Sequence, residues 1–244
     1  MEYKAEKITP YGRQESKTEQ VRDMFDSIAP AYDFMNRAMT FCIDKIWRRI
    51  AVGKLYRYGA KRILDVATGT GDLAMLLGRK LHPEEVVGVD LSEGMLEVAR
   101  GKASAAGMAN LKFEVGDCMA LNYGDCMFDA VTVAYGVRNF EHIEQGYREI
   151  CRVLKPGGVL CVIELSTPKN PFVHALYKIY TRYLIPIVGR LVSKDVRAYS
   201  YLPESIAAAP QREDMTSLMQ RAGFRDCRYY SLTFGVCTIY LAEK

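Results

Sequence analysis

The chain has 244 residues, 49% hydrophobic and 25% charged, ordinary globular proportions that exclude disordered, collagen-like and coiled-coil chains. Its 33 Lys and Arg against 29 Asp and Glu give a formal net charge of +4, compatible with an anionic membrane surface and too small to indicate a nucleic-acid partner. Seven cysteines without CxxC spacing and three scattered histidines (His82, His142, His174) predict neither a disulfide framework nor a metal site, and a reducing compartment fits.

The first 20 residues are polar with both charge signs, unlike a signal or transit peptide. No run of about 18 uncharged apolar residues follows, so a cytoplasmic protein that does not span a membrane is expected. Up to about residue 60 the pattern is helical (Val21, Met24, Phe25, Ile28, then Ile43, Ile46, Trp47, Ile50). Strands are predicted at 62–66 (RILDV), 86–90 (VVGVD), 111–117 (LKFEVGD), 128–134 (FDAVTVA) and from Val159 (VLCVIE). Helical patterns lie between them: Leu73, Leu76 and Leu77; a helix from an N-cap at Ser92; and one over 142–153 that ends at a KPGG turn, 155–158. This alternation demands crossovers, and so a mostly parallel α/β sheet covered on both faces. RDCRYYSLT and GVCTIYLA around Phe234–Gly235 read as an antiparallel hairpin closing one edge. The expected organisation is one domain over 1–244: a helical cap (1–60), a core (61–167), a cap insertion (168–212) and a closing helix and hairpin (213–244).

Asp65-Val-Ala-Thr-Gly69-Thr70-Gly71-Asp72 sits between a strand and a helix, where glycines let backbone N–H groups approach a ligand. Asp90 ends the next strand, placed for the ribose hydroxyls of an adenosine. Gly69-Thr-Gly71-Asp-Leu-Ala74 also passes as the dinucleotide fingerprint GxGxxA, which keeps a NAD-dependent reductase in view. Electrostatics favours S-adenosylmethionine: Asp65 and Asp72 would repel a pyrophosphate, whereas the α-ammonium and sulfonium are cationic. Asp117 ends the third strand, with Cys118 and Met119 beside it to flank an adenine ring.

Tyr32-Asp33-Phe34-Met35-Asn36 with Trp47 downstream, DVATGTGD, Tyr135-Gly136-Val137-Arg138-Asn139, Arg152 to Gly158 running to Glu164-Leu-Ser166, and a closing Ser231 to Gly235 together resemble the menaquinone/ubiquinone biosynthesis C-methyltransferases. The resemblance covers nearly the whole chain. It implies a Rossmann-like class I fold that uses S-adenosylmethionine to methylate a ring carbon of a polyprenylated quinol. Demethylmenaquinol is the expected acceptor; a ubiquinol precursor or another small lipophilic acceptor are the alternatives. It also implies that Thr70, Asp90, Asp117 and Cys118 contact the cofactor. Three positions depart from the family pattern: Ala134 stands where a serine is common, and Thr40 and Asp44 where the family usually shows Ser and His.

On this reading Arg138 stabilises the developing phenolate electrostatically, since an arginine stays charged and is a poor base. Asn139 positions a water, and Tyr32, Asp33 and Tyr135 line the ring pocket. Arg138→Ala is then expected to fold, bind S-adenosylmethionine and lose turnover. Between 171 and 192, apolar residues from Phe172 to Leu191 recur at helical spacing, with Lys178, Arg182 and Arg190 among them and Pro186 interrupting. That run is expected either to cap the domain or to lie peripherally at the inner face of the membrane.

Overall fold

The computed structural model describes residues 3–181 and 196–244. Two N-terminal helices, α1 (Lys17–Thr40) and α2 (Ile43–Leu55), precede the alternation β1 (Arg62–Val66), α3 (Asp72–Leu81), β2 (Glu85–Asp90), α4 (Glu93–Ala105) and β3 (Leu111–Val115). It continues through β4 (Phe128–Ala134), α5 (Ile143–Val153) and β5 (Leu154–Leu165). Next come α6 (Pro171–Ile179), α7 (Val196–Ala208), α8 (Glu213–Arg221) and the strands β6 (Arg225–Leu232) and β7 (Cys237–Glu243). The sheet order is β3-β2-β1-β4-β5-β7-β6. β1 to β5 pair in parallel, and β7 joins β5 and β6 antiparallel, which bears out the Rossmann-like reading and its edge hairpin.

The central strands are apolar on both faces because both are covered. Ile63, Leu64, Ala130, Val131, Leu160 and Ile163 are all fully buried. β1 and β4 are the pair at which the chain order reverses. The crevice outside their carboxyl ends is where an open α/β sheet takes its ligand.

Several local expectations shift. β5 begins at Leu154, straight after α5, so Lys155 to Gly158 belong to the strand. The pairing jumps from Phe128↔Leu154 to Ala130↔Val159, a bulge that absorbs Pro156 and Gly157, whose φ is +74°. β3 stops at Val115, leaving Asp117 on the loop beyond. Ser92 caps α4 as expected, its hydroxyl accepting the Met95 N–H at 3.1 Å. Of the run at 171–192, Phe172 to Tyr180 are described, on and just after α6. Arg182, Tyr183, Leu184, Pro186, Ile187, Val188, Arg190 and Leu191 lie outside the described residues. Among the described residues, no helix is long and apolar enough to cross a membrane.

α1 starts with a capping box: the Ser16 hydroxyl accepts the Glu19 N–H, and the Glu19 carboxylate accepts the Ser16 N–H. Lys17, in its first turn, is buried. Its ammonium donates to the carbonyls of Ala5 (2.8 Å), Arg138 (2.9 Å) and Phe140 (3.1 Å). One side chain thus ties the N-terminal segment and α1 to the turn carrying Arg138 and Asn139. Burial, opposed by Glu6, brings the Lys17 ammonium down to about 8. Lys17→Met leaves three carbonyls without their donor and is expected to cost about 3 kcal/mol of unfolding free energy. Urea denaturation measures this, and a loss of under about 1 kcal/mol contradicts the role.

Candidate active site

The loop from β1 to α3 makes the floor of the site. Gly71, at φ +76°, turns the chain into α3, and a Cβ there would sit 3.0 Å from both Ala99 and Phe113. Ala67 and Tyr135 also adopt left-handed backbone (φ +53° and +60°), a conformation unusual for residues with a Cβ and concentrated at functional sites. The two turns touch: a Cβ on Gly136 would meet that of Ala67 at 2.6 Å. Glycine at 136 is what lets the loops after β1 and β4 close together.

Asp65 lies beneath this loop. It is 1% exposed; the Thr68 hydroxyl donates to one of its oxygens at 2.6 Å, and the Thr132 hydroxyl donates to the other. Burial pushes its carboxyl up to about 6, with the two hydroxyls pulling the other way. Asp65 therefore braces the ends of β1 and β4 and is not on the wall of the crevice. Thr70 and Gly71 also lie off that wall. The Thr70 hydroxyl donates to Asp33 at 2.5 Å, and Lys102 bonds Asp33 at 2.8 Å and also Asp72. Asp33 is thus turned away from the ring pocket assigned to it. Tyr32 to Asn36 are helical within α1, so Tyr32, Asn36, Met39 and Thr40 share a face that excludes position 33. Asp72, neutralised by Lys102, carries none of the electrostatic preference expected of it.

The crevice itself is lined from four strand ends: Gly69 after β1, Asp90 on β2, Asp117, Cys118 and Met119 after β3, and Tyr135 and Asn139 after β4. Asp90 accepts the Gly69 N–H at 2.8 Å and the Ser92 N–H at 3.0 Å, and burial raises its carboxyl above the ordinary range. Asp117 accepts the Met119 N–H at 2.9 Å. Burial, reinforced by Asp117, holds the Cys118 thiol well up, so it serves as an apolar wall. The donor set suits S-adenosylmethionine: the carboxylates of Asp90, Asp117 and Glu141, soft apolar side chains for an adenine, open backbone at Gly69, and, among the described residues, no lysine or arginine on the wall to receive a pyrophosphate. Ala134, which lacks the hydroxyl common in the family, also faces this crevice.

A second cavity of about 310 Å³ opens on the other side of Tyr32 and Tyr135, which line both. α1, α2 and α6 supply most of its apolar wall, including Met39, Trp47, Leu176 and Tyr177. Two buried guanidiniums face it. Arg138 is 2.8 Å from the Glu164 carboxylate and also donates to the Tyr135 carbonyl; Arg48 bonds Asp44, which accepts the Thr40 hydroxyl at 2.8 Å. Burial is the largest influence and disfavours the Arg138 cation, but Glu164 together with Tyr32 and Tyr201 outweighs it and holds the group above the usual arginine value. Four buried side-chain polar atoms lack a hydrogen-bond partner among the described residues. Three belong to this cavity's lining: Arg48 Nε, Arg138 Nε and Tyr135 Oη. Unpaired buried polar atoms are rare, and three converging on one apolar cavity mark a binding site.

The structure thus brings Tyr32, Tyr135, Arg138 and Asn139 to the junction of the two cavities. Asn139 caps no helix, because α5 begins at Ile143; its side-chain oxygen accepts the Tyr201 hydroxyl at 3.2 Å. Arg48 is absent from the residues singled out in the sequence, although it lies one helical turn after Asp44, a spacing that signals an ion pair. The expectation for Arg138→Ala also changes, since removing the guanidinium strands a buried Glu164 at a cost of about 3–5 kcal/mol.

Asp65 sets a pH signature. Its folded value, about 6, lies above the reference 3.8, so its favourable contribution is complete below about pH 4 and is lost as pH rises through about 6. The stability difference between Asp65→Asn and the native chain should move by about 3 kcal/mol in favour of the variant between about pH 4 and pH 7. Chemical denaturation across that range checks it, and a flat difference contradicts it.

Residues 13–244 match the model of the ubiE/COQ5 methyltransferase family. The demethylmenaquinone methyltransferase of Bacteroides fragilis is 46% identical over 245 residues, covering 100% of both chains. The ubiquinone/menaquinone biosynthesis C-methyltransferase UbiE of Geobacter sulfurreducens is 43% identical, covering 99% of this chain and 94% of its own. Among solved structures, a SAM-dependent methyltransferase from Aquifex aeolicus superposes with a TM-score of 0.59 at 18% identity, covering 97% of this chain and 99% of its own. With two turns closing over an acidic crevice and a match across nearly its whole length, the chain belongs to the ubiE/COQ5 methyltransferase family.

Proposed function

We infer that this chain is an S-adenosylmethionine-dependent C-methyltransferase whose acceptor is a polyprenylated quinol, demethylmenaquinol in the first place. The observation that carries this is the adjacency of two unlike cavities across Tyr32 and Tyr135: one acidic, the other apolar with two buried guanidiniums. The name borne by the Bacteroides relative, which matches from end to end, supports the naphthoquinol.

When bound, S-adenosylmethionine supplies an electrophilic methyl group. The chain's own residues hold it and prepare the acceptor. Asp90 would meet its ribose hydroxyls, and Asp117, Cys118 and Met119 would border its adenine. Tyr32 and Tyr135 form the narrow wall at which the donor meets the acceptor ring. A quinol carbon becomes nucleophilic as its hydroxyl loses a proton. Arg138 and Arg48, both buried, offer that oxygen positive charge away from bulk solvent, where charge acts most strongly. Arg138 is neutralised by Glu164 and Arg48 by Asp44, so these pairs add no net charge to the site. Asn139, held by Tyr201, positions a water to receive the proton.

Phe41 and Leu176 both line the acceptor cavity and stand exposed, as Phe172 and Ile179 on α6 do. An apolar, open mouth supports entry of a prenyl tail from the bilayer, with the enzyme held peripherally on its cytoplasmic side.

Methyl transfer from isotopically labelled S-adenosylmethionine to short-chain demethylmenaquinol and to a 2-methoxy-6-polyprenyl-1,4-benzoquinol tests the acceptor. Mass spectrometry should locate label on the naphthoquinol ring carbon; no label on either quinol, with S-adenosylmethionine still bound, contradicts the reading. In the same assay, Arg138→Met combined with Glu164→Gln removes both buried charges together. It is expected to lower kcat about 10²–10³-fold while leaving S-adenosylmethionine affinity nearly unchanged.

A further inference from the structure

A third concavity, of about 500 Å³, lies beside the acceptor cavity among the end of α1, α2, α3 and α4. Six cations line it: Arg37, Lys45, Arg48, Arg49, Arg79 and Lys102. Three carboxylates answer them. Lys102 is paired with Asp33 and Asp72, Arg37 lies 3.8 Å from Asp33 and 3.9 Å from Asp72, and Arg48 takes Asp44. Lys45, Arg49 and Arg79 form no ion pair among the described residues, and Arg37 Nε is buried without a hydrogen-bond partner. The groove thus holds an excess of three positive charges in a chain whose formal net charge is only +4.

Beside the charge runs an apolar stripe. On α2, Lys45 and Arg49 share one exposed face, and Ile46 and Ile50, 52% and 38% exposed, make the adjoining one. Trp47, Ala51, Val52 and Leu55 bury the remaining side. Phe34 and Phe41 stand exposed at the end of α1. A helix with a basic face next to an exposed apolar face is built to lie in a lipid headgroup layer. A soluble phosphate or a nucleic acid uses the cations and leaves Ile46 and Ile50 in water.

We propose that this groove seats the phosphate of an anionic phospholipid and docks the α2 face on the bilayer. Arg48 lines both the groove and the acceptor cavity, so a headgroup seated there sets the cavity mouth at the membrane surface. The site rests on the groove's own charge and apolar rim. Only its consequence for turnover rests on the quinol reading.

Co-sedimentation of the full chain with phosphatidylcholine vesicles, with and without phosphatidylglycerol, tests the site. Binding is expected only where phosphatidylglycerol is present and should weaken as salt rises. Lys45→Ala with Arg49→Ala, both exposed and outside the catalytic machinery, should lower the partition coefficient roughly 25-fold, about fivefold for each charge. Ile46→Ser with Ile50→Ser should also weaken it. With a short-chain quinol in solution, kcat should be unchanged in both double variants; with a long-chain quinol in anionic vesicles, the apparent KM should rise. Equal binding to both vesicle types, or vesicle binding indifferent to Lys45 and Arg49, overturns the proposal. So does a loss confined to binding of a single-stranded RNA probe. Failure of methyl transfer to any quinol, with vesicle binding intact, would strike the acceptor reading and leave the docking site standing.

Discussion

A guanidinium without water needs a carboxylate beside it, and the pairing of Arg138 with Glu164 is the constraint around which this site is organised. Glu164 sits on β5, the strand whose continuation beyond Ala134 on β4 is free to carry an acceptor for the turn that follows. That turn, Val137–Asn139, is tied from behind by Lys17 and from the front by Glu164. The left-handed backbone at Tyr135 is held by its own N–H, which donates to the Ile163 carbonyl at 2.7 Å, and by its carbonyl, which accepts from the Arg138 guanidinium. Its consequence is a tyrosine placed on the wall between a donor crevice and an acceptor cavity.

The two cavities divide the electrostatic work. On the proposed reading, the donor crevice presents carboxylates to a cationic ligand, while the acceptor cavity presents guanidiniums to an oxygen that becomes anionic during reaction. Each guanidinium has its own carboxylate, so the cavity is neutral at rest and preorganised for negative charge. Catalysis on this account is mainly alignment plus stabilisation of phenolate, with the positive groups already desolvated before the acceptor arrives.

Much of this was legible in the sequence, because apolar strands alternating with amphipathic helices report a parallel sheet directly. The strand ends carrying Gly69 and Asp90 follow from it, whereas Tyr135 and Arg138 stand out only through the resemblance of Tyr135 to Asn139 to the family's motif, and Asp117 falls on the loop past β3 rather than on its end. What was not legible depended on side-chain direction and on partners distant in sequence. Asp65 stands at the head of the glycine loop, yet Thr132, from a strand far along the chain, claims its carboxylate. Asp33 adjoins Tyr32 in sequence but lies on another face of α1, where Thr70 and Lys102 hold it. Lys155 to Gly158 read as a turn because Pro and Gly usually end a helix, and the bulge between β4 and β5 takes them into the strand instead. Arg48 went unread because its importance comes from burial, which a lone arginine on an amphipathic helix does not announce.

The central claim is that paired, buried guanidiniums favour an anionic oxygen in the acceptor cavity. The most direct measurement is the ionisation of a bound nitronaphthol followed by its absorbance, since colour reports the phenolate without any turnover. The account predicts that the bound naphthol ionises at a pH at least about one unit below its value in water, and that Arg138→Met with Glu164→Gln abolishes most of that shift. A bound naphthol that ionises at or above its solution value, or a shift that survives the double variant, would contradict it.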